Sequence, residues 1–518
     1  MISAAAAKLL GAFFRIPLTN MLGGVGMSYF STAYSLFMPV YAFTATGLTS
    51  AVARMTARSV SQGKYREMQK IRRTALLVFS AVGSFGSLAV FLLAKPFSIL
   101  TSDNAEASAA AAMIAPAVFF GCITAVERGY YEGMSNMYPT AVSQVIEGAV
   151  KVFAGLALCS LVTEKPELIL RFFPYIRDSR AAGAAAGILG VTLSTAGAWL
   201  FFAVMGMFVK MPEYAVSNES MGGRDIVREL FSSALPTGIS AVVTNLTGII
   251  DMWTIINCLN VSVIDIPNGT SVSDMPDFVY GSFAGIALTV FNLVPSVTNM
   301  LGKGALSCIT EANERKDTEQ LRYSTTQALI VSAAAALPSA VGIGILSGEV
   351  LNFLYPMQCD EVSICIMPLR LLMFGMVCLC MSYPLFSMLQ AVGKPSAPLK
   401  IMLIGTGVKL AANLLLIPET GVNGAAVSTS LCYGIILLLS LVTYLRTTGI
   451  KLKIQPFLKV AYSGIMCGAS AYLTAGLSRH IGISALKTIL LTAAVGGTVY
   501  ILMLYMLMGV HRKKGNAD

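Results

Sequence analysis

The sequence predicts an all-α polytopic membrane protein of about fourteen transmembrane helices. They are expected to form two pseudo-symmetric six-helix lobes with an appended C-terminal helix pair. Three observations predict this. The 518 residues are 55% hydrophobic and 12% charged, where a soluble protein carries roughly 25% charged residues. Short polar loops break the apolar runs every 20–30 residues. One pattern is also written twice, about 254 residues apart. A membrane β-barrel would alternate apolar and polar residues, and this chain does not.

In order, spans are expected near 2–22, 28–54, 74–95, 107–128, 139–161 and 181–209, then near 232–257, 279–304, 323–347, 362–390, 397–417 and 421–445. Spans near 456–478 and 486–510 lie outside the repeat, which divides the chain into 1–222, 223–450 and 451–518. In the first half, Gly47-Leu48-Thr49-Ser50-Ala51-Val52-Ala53-Arg54 ends a span, and Pro96-Phe97-Ser98-Ile99-Leu100 closes the next. Leu301-Gly302-Lys303-Gly304-Ala305-Leu306-Ser307-Cys308 and Val350-Leu351-Asn352-Phe353-Leu354 answer them in the second half. Gly148-Ala149-Val150-Lys151-Val152 is echoed by Thr406-Gly407-Val408-Lys409-Leu410, and Ala182-Gly183-Ala184-Ala185 by Asn423-Gly424-Ala425-Ala426. Duplicated helical bundles are the usual architecture of alternating-access transporters, with the substrate site between the halves.

The net charge of +10 follows topology rather than nucleic-acid binding. With both termini in the cytoplasm, internal loops and the C-terminal tail hold 23 of the 36 Lys and Arg, and external loops seven. The expected location is therefore a bacterial cytoplasmic membrane, crossed many times. The basic excess adds an attraction to anionic membrane lipid. The first span lacks a basic flank, as if native residues preceded Met1. Ten scattered cysteines without a CxxC pair, and two histidines, point away from metal and thiol chemistry. Cys258 and Cys359 are expected to face outward. No nucleotide-binding loop, zinc-protease motif or nucleophile elbow is present, and no loop could house a catalytic domain. No enzyme activity, metal or cofactor is expected. A monovalent coupling cation, Na+ or H+, stays open.

Ionisable groups deep in a span cost about 2.5–3.5 kcal/mol each, so they face cavities or one another. Lys8 and Arg15 lie seven residues apart on one face of the first span, which carries no acid. They form a candidate anion receptor, since the planar Arg fork matches phosphate oxygens. The alternative has Lys8 reaching to the surface and Arg15 pairing with an acid elsewhere. Gln144, Glu147 and Lys151 share one face of the fifth span. There, Glu147 and Lys151 make either a neutralised i, i+4 pair or a substrate contact. Lys409 and Asn413 occupy the corresponding helix of the second half without an acid. Asp251, the one acid of the seventh span, is a partner for Arg15 or Lys409, or a cation ligand. Glu127, Arg128 and Arg370 are expected at the membrane interface.

The stretch Glu127-Arg128-Gly129-Tyr130-Tyr131-Glu132-Gly133, followed by Met137-Tyr138-Pro139-Thr140-Ala141-Val142-Ser143-Gln144-Val145-Ile146-Glu147, resembles the stage V sporulation protein B group of the multidrug/oligosaccharidyl-lipid/polysaccharide flippase superfamily. Leu9-Leu10-Gly11 through Arg15-Ile16-Pro17-Leu18, Leu389-Gln390-Ala391-Val392-Gly393-Lys394 with Pro398, and Asn423-Gly424-Ala425-Ala426 fit the same group. The resemblance implies fourteen helices in two lobes plus a pair. It also implies movement of a polyprenyl-pyrophosphate-linked saccharide, its phosphate in a cationic cavity and its tail along the last two helices. Arg15 and Lys8 would be cavity cations. Where the related lipid II flippase carries an Arg pair in its second helix, this chain reads Pro39-Val40-Tyr41-Ala42. The expectation is a monomeric flippase of lipid-linked glycans for cell-envelope, peptidoglycan or spore-cortex synthesis, working beside envelope-synthesis proteins. Two rivals stand against it: a cation-coupled multidrug exporter, which needs cavity acids, and a non-transporting membrane scaffold.

Overall fold

The computed structural model describes residues 2–102, 105–173, 176–208, 221–259, 272–304, 306–315 and 317–514. All regular structure among them is helical. The chain forms two compact units, one of residues 1–257 and 276–281, the other of 258–275 and 282–518.

The first unit contains α1 (Ile2–Tyr41), α2 (Gly47–Ser61), α3 (Tyr65–Ser102), α4 (Ser108–Gly133), α5 (Tyr138–Glu164), the short α6 (Glu167–Leu170), α7 (Ser179–Phe208), nearly all of α8 (Gly223–Cys258) and most of α9 (Met275–Ser282). A π-helical turn, Ala42–Thr46, joins α1 to α2. The apolar run Phe13–Ser61 has 49 residues. A straight helix of that length would reach about 74 Å at 1.5 Å per residue, against a hydrocarbon core of about 30 Å. The run therefore makes two passes. Gly23 breaks it with φ 66° and ψ −173°, and the chain doubles back, bringing Phe14 within 6.1 Å of Phe30, centroid to centroid. Glycine alone reaches that backbone without a steric penalty. Among the described residues, twelve helices are long and apolar enough to span a membrane, or thirteen with the pair Met275–Phe291 and Leu293–Asn299, bent by 45°, taken as one. Dividing Phe13–Ser61 at Gly23 brings the described residues to the fourteen that the sequence predicts.

Leu48, Val52 and Met55 of α2, Ile71 and Phe79 of α3, Tyr130 of α4 and Leu230 of α8 form the apolar core of this unit. α5 and α7 approach through small residues, and a Cβ on Gly190 would collide with the Gly155 backbone. α8, which the repeat places at the start of the second half, is compact with the first unit. Its Glu229 pairs with Arg58 at 3.3 Å, and Phe231 lies 5.7 Å from Phe79.

The second unit contains α10 (Leu288–Phe291), α11 (Leu293–Gly304), α12 (Leu306–Glu314), α13 (Thr318–Ile345), α14 (Ser347–Leu354), α15 (Cys359–Ala391), α16 (Ala397–Thr420), α17 (Val422–Thr448), α18 (Gln455–Ile481) and α19 (Ala485–Lys514). A second π turn, Phe283–Ala287, precedes α10. Asp317 caps α13 by accepting from the Glu319 and Gln320 amides. The echoed small residues play the same part in each unit. Ala182, Ala184 and Ala185 at the start of α7, and Ala425 and Ala426 at the start of α17, are fully buried. All ten cysteines, Cys258 and Cys359 included, are free thiols.

Candidate functional site

The first unit carries a row of rings. After the break at Gly23, Phe30, Tyr34, Phe37 and Tyr41 recur at spacings of four, three and four, which aligns them on one helix face. Successive centroids are 5.0, 6.1 and 4.9 Å apart. Phe14, from the other arm of α1, joins the row at Phe30.

Two cations converge on this row. The Arg15 guanidinium lies 5.9 Å from the Tyr34 centroid, and the Lys151 ammonium lies 5.3 Å from Tyr34 and 5.6 Å from Phe14. Both distances to Tyr34 fall in the range of cation–π attraction. Sharing one ring puts the two charges within about 11 Å of each other. Both side chains are half-buried, and among the described residues neither forms an ion pair. The Tyr34 hydroxyl is buried without a hydrogen-bond partner among the described residues. The group is a half-buried, aromatic-walled site whose two cations suit an anion.

The expected Glu147–Lys151 pair does not form. Arg128 takes Glu147 at 2.8 Å and donates to the Ser143 hydroxyl at 3.0 Å. Ser143 and Glu147 are one turn apart, so the guanidinium fork spans both, and Lys151, a turn further on, is left to the rings. Gln144 lies half-buried on the same helix and makes no hydrogen bond among the described residues.

Glu127 and Arg128, expected at the membrane interface, are both paired within the first unit. Glu127 is 5% exposed and receives Arg72 through both oxygens, at 2.8–3.1 Å, while the Arg72 guanidinium lies 5.0 Å from the Tyr130 centroid. Adjacent residues of α4 thus reach opposite ways, Glu127 to α3 and Arg128 to α5. Gly129 and Gly133 let α2 approach α4, because a Cβ at either would lie 2.6 Å from the Thr49 or Ala53 carbonyl oxygen. The motif braces three helices and admits a fourth.

Asp251 is 3% exposed. The buried Tyr280 lies within electrostatic range of Asp251, Arg15 and Asp277. No Arg15–Asp251 ion pair forms. Asp277 accepts a 2.5 Å hydrogen bond from Ser28. Lys409 belongs to the second unit, where it is 2% exposed on α16, one turn from Asn413, which hydrogen-bonds with Ser428. The Lys8 side chain lies outside the described residues. The described residues hold no cluster of three metal-ligating side chains. Tyr34 and Tyr280 are missed by the search for charges within spans, which finds Arg128 but not its pairing with Glu147. The 4-3-4 ring spacing was the available signal for Tyr34.

The Polysaccharide biosynthesis protein family matches residues 1–264, more than half of the chain. The chain belongs to that family. It is 23% identical to stage V sporulation protein B of Bacillus subtilis (strain 168) over 508 residues, covering 97% of this chain and 92% of the relative. It is 24% identical to the lipid II flippase MurJ of the same organism over 528 residues, covering 97% and 93%. Among solved structures, the lipid II flippase MurJ in an inward closed conformation superposes with a TM-score of 0.69 at 15% identity, covering 98% of this chain and 97% of that one. An inward-facing multidrug resistance MATE family transporter of the MOP superfamily gives 0.64 at 14% identity, covering 85% and 93%. The fold is that of this superfamily, as the motifs suggest, and the protein is a multi-pass membrane protein.

Proposed function

We propose that this chain is an alternating-access flippase for a polyprenyl-(pyro)phosphate-linked saccharide, serving synthesis of the cell envelope or spore cortex in the bacterial cytoplasmic membrane, with both termini in the cytoplasm. One observation carries the reading: Arg15 and Lys151 converge on Tyr34 without a carboxylate on either. A pyrophosphate would occupy the space beside that ring, with charge-assisted bonds from the guanidinium and the ammonium. The adjoining rings offer flat apolar faces to a sugar, and the lipid tail stays in the bilayer along α18 and α19. Lys8 is a further cavity cation in this reading, and Lys409 a substrate contact of the second unit. Gln144 faces the saccharide, and Glu147 acts through Arg128. The names of the two Bacillus relatives support the substrate class.

The test is flipping of a fluorescent undecaprenyl-pyrophosphate saccharide in proteoliposomes, wild type against Arg15→Ala. Transport by the wild type that fails in a folded variant is the expected result. Equal transport by both moves the phosphate site away from Arg15.

A cation-coupled exporter is favoured by one observation, the buried Asp251 beside Tyr280. Na+- or H+-dependent dye efflux that is lost in Asp251→Asn, with no flipping of the lipid-linked saccharide, selects this second reading.

A further inference from the structure

The second unit holds a cleft of about 720 Å³ where α13 and α18 begin. Arg322, Lys453 and Lys459 line it, together with Tyr323 and Ile330, against a single acid, Glu319. Glu319 is 87% exposed and lies 3.7 Å from Arg322, so the lining stays net positive. Lys459 is partly committed, donating to the Leu507 carbonyl at 2.8 Å. Lys453 is exposed and Arg322 half-buried, so both are open to a ligand.

The cleft has a direction. From Glu319 to Ile330 it follows α13 for eleven residues, about 16 Å along a helix axis. It therefore starts among charges at the water boundary and ends on apolar side chains inside a span. The N-cap residue and outer surface of α18 continue that apolar character, with Ile454 70%, Leu458 62% and Tyr462 50% exposed. Tyr323, 60% exposed, stands at the boundary where aromatic side chains favour the headgroup level. A soluble anion would use the charges and leave this flank idle. A zwitterionic headgroup would bring its own cation toward a net positive lining.

We propose that this cleft binds the phosphodiester headgroup of an anionic glycerophospholipid, held by Arg322, Lys453 and Lys459, with an acyl chain along the apolar side of α18. The lipid is a resident of the surrounding bilayer and would fasten α18 to α13. The proposal does not rest on the transport reading.

The experiment is native mass spectrometry of the full-length protein in detergent, titrated with phosphatidylglycerol or with phosphatidylcholine of identical chains. The wild type is expected to retain one phosphatidylglycerol at concentrations where phosphatidylcholine is lost. In the double variant Arg322→Gln, Lys453→Gln, retention should weaken about thirtyfold, from about 1 kcal/mol per basic residue near a membrane surface. Lys394→Gln, Lys400→Gln, which removes two exposed charges outside the cleft, should match the wild type. If the double variant fails to fold, Lys453→Gln alone should still lose about fivefold. Equal retention in wild type and cleft variants overturns the proposal, as does equal retention of phosphatidylcholine. Displacement by inorganic phosphate at equal concentration reassigns the cleft to a soluble anion. Preference for a polyprenyl phosphate reassigns it to the transported class. Either result overturns the lipid proposed here.

Discussion

Lys151 points its ammonium at the Tyr34 ring from 5.3 Å, although Glu147 lies one turn away on the same helix. With Glu147 held by Arg128, Lys151 keeps its charge uncompensated beside a ring that Arg15 also approaches. If the pair receives a phosphate, Lys151→Ala should lower flipping by about tenfold to a hundredfold, the range for one hydrogen bond to a charged group. Lys151→Arg should keep the larger share of activity. Thermal stability should barely change, because no ion pair is lost. Flipping rates and unfolding temperatures in parallel separate the two effects.

The Arg72–Glu127 pair makes the opposite prediction. Side-chain exposures of 24% and 7% put it largely out of water. Removing one partner strands the other charge, so Arg72→Ala or Glu127→Ala should each cost about 3 kcal/mol. The double substitution to Met and Leu should recover much of that loss. A double-mutant cycle on unfolding in detergent measures it, and additive single effects would contradict the pairing.

Gly129 tests the close approach of α2 to α4. Gly129→Ala drives a Cβ against the Thr49 carbonyl and should cost about 1–3 kcal/mol. Gly407→Ala, whose Cβ meets nothing within 4 Å, should be neutral or slightly stabilising. Unfolding temperatures of the two variants should move apart, and a common shift would refute the packing account.

Glu349, outside the spanning helices, gives a pH dependence. Burial alone would raise its carboxyl, but the hydrogen bond from Arg479, its own amide and the Arg479 and Arg370 charges outweigh burial and hold it below the usual carboxylate range. A depressed carboxyl contributes stability that is present above its unfolded value, about 4.3, and is lost as pH falls through the lower folded value. The stability difference between wild type and Glu349→Gln should be flat from pH 8 to about 5 and then shrink. Its plateau should be about 1 kcal/mol or less, since Arg479 is 46% exposed. A difference that grows on acidification would reverse the assignment.

The spans, their number and the role of the echoed small residues were legible because each depends on local composition and period. The Gly23 break was legible only as a gap between two expected spans. The ion pairs were not legible. Glu147 has Lys151 in sequence reach and Arg128 nineteen residues upstream, and only the packing of α4 on α5 decides between them. Glu127 likewise has its partner, Arg72, fifty-five residues upstream, and only the packing of α3 on α4 brings the two together. The rings were visible as letters, but without Lys151 beside them they read as ordinary apolar filling.

Tyr34, Tyr41, Leu48 and Met55 fall at intervals of seven, and an unbroken α-helix would align them as one stripe. The π turn at Ala42–Thr46 widens one turn by a residue, a phase shift of about 100°. Thr44 occupies the carbonyls of Val40 and Tyr41 at 2.8 and 3.3 Å, which eases the altered ladder. The stripe is thereby cut in two. Tyr34 keeps the cations, while Leu48 and Met55 rotate into the core formed with α3, α4 and α8, against which Tyr41 also packs. A single residue of helical phase separates a ring that faces the cations from side chains that face protein, and deleting one residue from this turn would bring the two halves back into register.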